Sequence, residues 1–269
     1  MLNKLRQDNA GSRNSEAPRN IALILVESYG ISRDANDAAL VSAPFNSLDI
    51  RQHYDVTTGT VPFHGSTVSA EFRELCGMSA SIGVHPNDFS SCLPTLLKQW
   101  GYETISFHGF TESMFARNKW YPIMGFDKSL FAEQMEKIPG VNICGGIFPG
   151  VCDADVARLI GDYLANNSSR RNFVYWVTLN SHLPVLRSLA SGGAFNCGTA
   201  RAPVQDADIC MWMSLIYKAH SSIAALALRP DLPATEFYIV GDHAPPFILQ
   251  ERRKMFSPGI VPYLHLVPR

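Results

Sequence analysis

Three apolar segments of this chain end in residues that can do chemistry. Glu27 and Ser28 follow the run Ile21–Val26, Asn180, Ser181 and His182 close the run 173–179, and Gly241, Asp242 and His243 follow residues 236–240. A carboxylate at the end of a buried strand needs a partner to offset its desolvation. Glu, Asp and His are the ligand types of a divalent transition ion such as Zn or Mn, so a metal would be one such partner. For Glu27 alone, a loop N–H or an Arg would serve as well. Asp242 and His243 are the stronger signal, because adjacent residues leaving a strand at a Gly can both be aimed into one crevice. The segment 64–72 (HGSTVSAEF) adds hydroxyls at Ser66, Thr67 and Ser69 just after Gly65, ahead of an amphipathic run through Phe72 and Leu75. A hydroxyl at a helix N-terminus suits phosphoryl chemistry, since free backbone N–H groups and the helix dipole favour anionic oxygens there. The competing use is an ordinary N-cap.

These residues need elements to carry them. Residues 20–26 (NIALILV), 103–107, 173–179 and 236–240 read as strands buried on both faces. Residues 91–100 begin with Ser and stop before Gly101, residues 153–165 carry apolar side chains at helical spacing after two first-turn aspartates, and residues 206–228 repeat apolar side chains at helical spacing. Strands alternating with helices predict an α/β fold with a mostly parallel central sheet sandwiched by helices. In such sheets the ligand site lies beyond the carboxyl ends of the strands, where the residues above stand.

Residues 1–19 are polar and without periodicity, which predicts a flexible lead-in or linker before a single domain over 20–269. The closing residues Leu266–Arg269 carry no readable signal. With 46% hydrophobic and 17% charged residues the chain can build a sizeable core, which excludes disorder, collagen and coiled coil. Twenty-three Lys plus Arg against 24 Asp plus Glu leave a net charge of -1, so no basic field for nucleic acid exists. No stretch is long and apolar enough for a membrane span or a signal peptide, so residues 1–269 read as soluble. Six cysteines show no zinc spacing. Pairing sequence neighbours, 76 with 92, 144 with 152 and 197 with 210, would close loops of modest length; this is one of many connectivities, and six buried thiols are the other reading.

Taken together, VES at 26–28, GSTVSAEF at 65–72, FHGF at 107–110, MFARNKWYPIMGFD at 114–127, LNSHLP at 179–184 and VGDHAPP at 240–246 resemble the sulfatase-like, alkaline-phosphatase superfamily. Within it they are most similar to the phosphoglycerol transferases, meaning lipoteichoic acid synthase and the enzymes that decorate periplasmic glucans. The resemblance runs over residues 20–250. It implies an alkaline-phosphatase-like fold and one divalent metal ion, Mn or Zn rather than Mg, on Glu27, Thr67, Asp242 and His243. It implies Thr67 as nucleophile, from the pattern that also puts Gly65, Glu71 and Phe72 in register. It further implies His182 and a phosphate-facing Arg117 as catalytic and substrate-binding residues, with His108 and Phe115 lining the same pocket.

Three departures bear on the substrate. Phe115 stands where lipoteichoic acid synthase has Trp. The phosphoethanolamine transferases carry a further His about a dozen residues past the Asp-His pair, whereas the next here is His265. The nearest approach to the sulfatase formylglycine motif, Cys92-Leu93-Pro94-Thr95-Leu96, lacks its Arg, which disfavours sulfate-ester hydrolysis.

The expected activity is transfer of a substituted phosphoryl group, phosphoglycerol first and phosphoethanolamine next. The donor is a phospholipid, the acceptor an envelope glycan or lipid, and the intermediate a phosphothreonine. A phosphodiesterase or phosphonate-ester hydrolase on the same site, and a non-catalytic envelope binding or assembly domain, are the alternatives. The resemblance also implies a place at the periplasmic or other extracytoplasmic face of the membrane, with association through an N-terminal segment outside these residues. An oxidising compartment of that kind favours the disulfide reading.

Overall fold

A computed structural model describes residues 19–78, 89–144, 146–185 and 195–269. The lead-in expected over residues 1–19 lies outside the described residues apart from Arg19. The strands in chain order are β1 (Asn20–Val26), β2 (Tyr54–Pro62), β3 (Tyr102–His108), β4 (Lys128–Leu130), β5 (Ile143–Cys144), β6 (Gly150–Val151), β7 (Arg171–Val177), β8 (Thr235–Gly241) and β9 (Ile260–Pro268). The helices are α1 (Ala35–Ser42), α2 (Leu48–His53), α3 (Thr67–Cys76), α4 (Leu93–Gln99), α5 (Arg117–Met124), α6 (Ala132–Met135), α7 (Asp153–Asn166), α8 (Ala207–Ala227) and α9 (Gln250–Arg253).

Seven strands form one sheet in the order β2-β9-β8-β1-β7-β3-β4. The stretch from β8 to β4 is parallel, and β9 pairs antiparallel with both β8 and β2. The four strands legible in the sequence are its centre, in their expected places. β2 and β9 went unread because each contains proline, which ordinarily argues against a central strand. The ladder accommodates Pro262 because β9 meets β8 only over Tyr263–Leu266. The closing residues Leu266, Val267 and Pro268 are therefore part of the sheet, opposite Val56, Asp55 and Tyr54.

β1 is buried along its whole length and its alternating side chains feed two cores. Ala22, Ile24 and Val26 pack on one side with Val41 of α1 and with apolar residues of α7 and α8. Ile21, Leu23 and Leu25 pack on the other with Val68, Phe72 and Leu75 of α3, Leu93 and Leu97 of α4, and Tyr121 of α5. Disulfides join Cys76 to Cys92, Cys144 to Cys152 and Cys197 to Cys210. No helix among the described residues is long and apolar enough to cross a membrane.

Candidate active site at the carboxyl ends of the central strands

Parallel register sets the site. Leu25 stands opposite Val177 and Val26 opposite Gly241, so the chain leaves β1, β7 and β8 at one level. The next residues lock together: the Glu27 N–H donates to Thr178 Oγ1 (2.9 Å) and the Ser28 N–H to Asp242 Oδ1 (2.7 Å). A Cβ on Gly241 would lie 1.9 Å from the Tyr29 carbonyl oxygen, so only glycine lets the β1 and β8 exits approach this closely.

Thr67 is the first residue of α3, after Gly65 at φ 81° and Ser66 as N-cap. The Ser66 side chain makes no capping bond, which leaves the helix N-terminal N–H groups to a ligand. Thr67 Oγ1 lies 2.9 Å from Asp242 Oδ2 and 3.2 Å from Glu27 Oε2. His243 Nε2 lies 3.2 Å from Asp242 Oδ2 and 3.6 Å from Glu27 Oε1. Its Nδ1–H donates to the Ala244 carbonyl (3.0 Å), which turns Nε2 toward the carboxylates. Ligand atoms of Glu27, Asp242 and His243 all lie within 4.8 Å of one another.

Two buried carboxylates converging on one imidazole and one hydroxyl leave excess negative charge out of water. Burial first, and then the Glu27 charge, push the Asp242 pKa up to about 7. Burial opposes the His243 cation, but Asp242 and Glu27 outweigh it and raise its pKa. A divalent cation satisfies all of these groups together, and oxygen, oxygen and nitrogen donors suit Zn or Mn. The residues thus fit the ion expected from the sequence.

α3 does more than present Thr67. Arg73 Nη2 and Nη1 donate to the carbonyls of Gly241 (2.8 Å) and Asp242 (3.2 Å), tying the helix to the exit of β8. Glu71, one turn after Thr67 and fully buried, accepts Arg117 Nε (3.0 Å) and Nη2 (2.7 Å) on Oε1, and the Tyr121 hydroxyl (2.5 Å) on Oε2. Arg117, 1% exposed, thus gives two of its N–H donors to Glu71. Glu71→Ala would strand that buried cation. We expect a loss of about 3–5 kcal/mol of unfolding free energy, measured by urea titration; a loss under about 1 kcal/mol would contradict the pair's role.

Phe115, 36% exposed, covers Arg117, with the guanidinium carbon 5.2 Å from the ring centroid. Phe115 and the adjacent Ala116 both have positive φ, 56° and 55°, and the other non-glycine residue in that region is Ser28, beside Glu27. All three strained residues among those described flank site residues, as strain stored at function would be. Trp120 Nε1–H holds the strained turn through the Phe115 carbonyl (3.0 Å). Ala116→Gly should relieve ~1–2 kcal/mol of left-handed strain and return ~0.4–1 kcal/mol through the unfolded chain. The expected result is a net gain of roughly 1 kcal/mol by chemical denaturation; a net loss would place the strain elsewhere.

His108, at the end of β3, donates Nδ1–H to the Val177 carbonyl (3.1 Å). Burial, then the Arg117 charge, hold its pKa down at about 3, so the ring is neutral. His182 sits on the loop after β7, donates Nδ1–H to the Leu183 carbonyl (2.6 Å), and meets the Phe148 ring edge-on at 4.5 Å between centroids. The structure therefore gathers Glu27, Thr67, Asp242 and His243 into one cluster. Arg117, Phe115 and His108 form a neighbouring group, and among the described residues no hydrogen bond joins either that group or His182's side chain to the cluster. Sequence reading missed Thr178, Arg73 and Phe148, none of which carries a local signal, placed Ser181 at a strand end without a role, and took Asp153 only as a first-turn acid.

An α/β sheet of this order, with a cluster of two carboxylates, an imidazole and a hydroxyl at the strand ends, is the alkaline-phosphatase-like architecture. The profile of the sulfatase family matches residues 19–198, and the chain belongs to that family. No curated protein sequence matches the chain. Among solved structures it is similar to the lipoteichoic acid synthase LtaP from Listeria monocytogenes, at 14% identity and TM-score 0.66 over 93% of this chain and 65% of that one. It is similar to the Streptococcus pyogenes phosphoglycerol transferase GacH, solved with sn-glycerol-1-phosphate, at 17% identity and TM-score 0.63 over 98% and 72% of the two chains. A third is the C-terminal periplasmic domain of EcEptC from Escherichia coli in complex with Zn, at 16% identity and TM-score 0.60 over 95% and 74%. The chain spans just under two thirds of the length of the Listeria protein.

Proposed function

We propose that the chain is a metal-dependent transferase that moves a substituted phosphoryl group from a phospholipid donor to an envelope glycan or lipid, with phosphoglycerol as the first candidate group and phosphoethanolamine as the second. The observation that carries this reading is the Thr67 hydroxyl, set at a helix N-terminus within hydrogen-bond distance of both Glu27 and Asp242. Glu27, Asp242, His243 and Thr67 would hold one Zn or Mn ion, which when bound neutralises phosphoryl charge and favours the ionised hydroxyl. Thr67 Oγ attacks phosphorus in line as its proton leaves toward the facing carboxylates. The phosphorus–oxygen bond to the lipid breaks, His182 gives the leaving oxygen its proton, and the group stays on Thr67 as a phosphodiester. An acceptor hydroxyl then attacks the same phosphorus and passes its proton to His182, the phosphorus–Oγ bond to Thr67 breaks, and Thr67 Oγ takes back the proton it gave up. The N–H donors of Arg117 not bound to Glu71 would offset charge on the transferring group, under a pocket wall of Phe115 and His108.

Three disulfides suit an oxidising compartment, which supports a periplasmic or other extracytoplasmic location. The structural likeness to proteins named as phosphoglycerol transferase and lipoteichoic acid synthase supports the choice of group. The test is to incubate the metal-loaded protein with phosphatidylglycerol or phosphatidylethanolamine vesicles, quench in acid and map peptides by mass. A glycerophosphoryl adduct on the Thr67 peptide is expected. An ethanolamine adduct alone would reverse the order of the two groups, and no adduct with either lipid would overturn the reading. Adduct turnover to water alone, with envelope glycans and lipids present, would favour the hydrolase.

A further inference from the structure

We infer that Asp153 is a positioning residue of the metal site, acting through the loop after β7 without touching metal or substrate. The inference rests on the reading of Glu27 as a metal ligand. Asp153 is the first residue of α7 and only 4% exposed. It does not cap its own helix; its carboxylate reaches across to the loop that leaves β7. Oδ1 accepts the Leu179 N–H and Oδ2 the Asn180 N–H, each at 2.9 Å, and the Asp153 N–H returns a bond to Asn180 Oδ1 at 2.7 Å.

That loop grips Glu27 from both sides. Thr178 Oγ1 accepts the Glu27 N–H (2.9 Å), and Ser181 Oγ donates to the Glu27 carbonyl (2.6 Å). Thr178 and Ser181 flank the two N–H groups that Asp153 holds, so the carboxylate fixes both jaws of the clasp. His182 is the next residue, its N–H bonded to the Leu179 carbonyl (3.1 Å). One buried carboxylate thereby sets the backbone of a metal ligand and the start of the segment carrying His182. Ionised above its pKa of about 7, the carboxylate suits this task because both oxygens accept. An amide of the same shape would turn an NH2 group against one of the two N–H donors.

The test is calorimetric titration of chelator-stripped protein with zinc chloride and, separately, manganese chloride. Wild type, Asp153→Asn and Leu164→Ala are compared, the last a fully buried residue of the same helix away from the loop. Asp153→Asn should weaken metal binding by about tenfold or more, the scale seen for residues that orient ligands. It should also lower kcat on bis(p-nitrophenyl) phosphate at saturating metal. Leu164→Ala should melt earlier yet bind metal like wild type. Asp153→Asn within twofold of wild type, or a loss matched by Leu164→Ala, would overturn the inference. Should Asp153→Asn fail to fold, Thr178→Val and Ser181→Ala replace it: weaker metal binding supports the clasp and unchanged binding overturns it. Wild-type protein that binds neither ion overturns the metal reading and this role with it, a result distinct from a wild type that binds and a variant that does not differ.

Discussion

Thr67→Ala is expected to lower turnover of a phosphodiester by at least ~10³-fold while leaving the protein folded. Removing a nucleophile abolishes the covalent route, and what survives is the far smaller contribution of binding and charge stabilisation. The fold should tolerate the change because α3 is fastened elsewhere, by Val68, Phe72 and Leu75 in the core, by Arg73 on the exit of β8, and by the Cys76–Cys92 disulfide. Loss of the hydroxyl's own hydrogen bonds amounts to about 1 kcal/mol. The measurement is nitrophenolate release from bis(p-nitrophenyl) phosphate, with circular dichroism melts of both proteins. Wild-type rates in a purified, folded Thr67→Ala protein would remove Thr67 from the mechanism and, with it, the proposed intermediate.

The second large effect is metal removal and its dependence on pH. A chelated sample should lose activity and regain it with Zn or Mn. Affinity should weaken as pH falls through about 7, by about tenfold per unit from Asp242 alone, because that group, with a pKa near 7, must release its proton before it can bind an ion. His243, also raised, adds to the same trend. The melting shift produced by added metal should therefore be larger at about pH 8 than at about pH 5.5. An equal shift at both values would show that Asp242 is not among the ligands.

The metal-free protein behaves differently, as the signs show. Asp242 and Asp153 each have a folded pKa of about 7, so their contributions to stability are complete below about pH 4 and lost as pH rises toward 7. His108 and His220 are held down at about 3 and about 4 by burial first, so theirs are lost as pH falls below about 6.5. The two pairs oppose one another between about pH 5 and 6.5. Any strong pH dependence of melting in that window should appear only with metal present.

The legibility of this protein divides along physical lines. Glu27, Asp242 and His243 could be found because a charged residue directly after a buried run is locally anomalous, and parallel strands that start at one edge deliver such residues to the other. A glycine followed by hydroxyls ahead of an amphipathic run marks a helix start, but it was the resemblance to the superfamily that singled out Thr67 from Ser66 and Ser69. Asp153 was not, since an acid in the first turn of a helix is what any helix favours. The partnership of Glu71 with Arg117 was equally hidden, because 46 residues separate them and only the packing of α5 on α3 brings them together.

By itself the sequence determined the central parallel strands, the helices that cover them and the four residues that meet at their ends. Local periodicity suffices for the strands and helices and the desolvation of charge marks Glu27, Asp242 and His243, whereas Thr67 and the grouping of the four came from the resemblance to the superfamily. Only the tertiary structure decided that the last residues of the chain finish the sheet, that Arg117 rests on Glu71 under Phe115, and that Asp153 holds the clasp around Glu27. Each of these depends on groups distant in sequence meeting at hydrogen-bond range, and such pairings follow from how the layers pack.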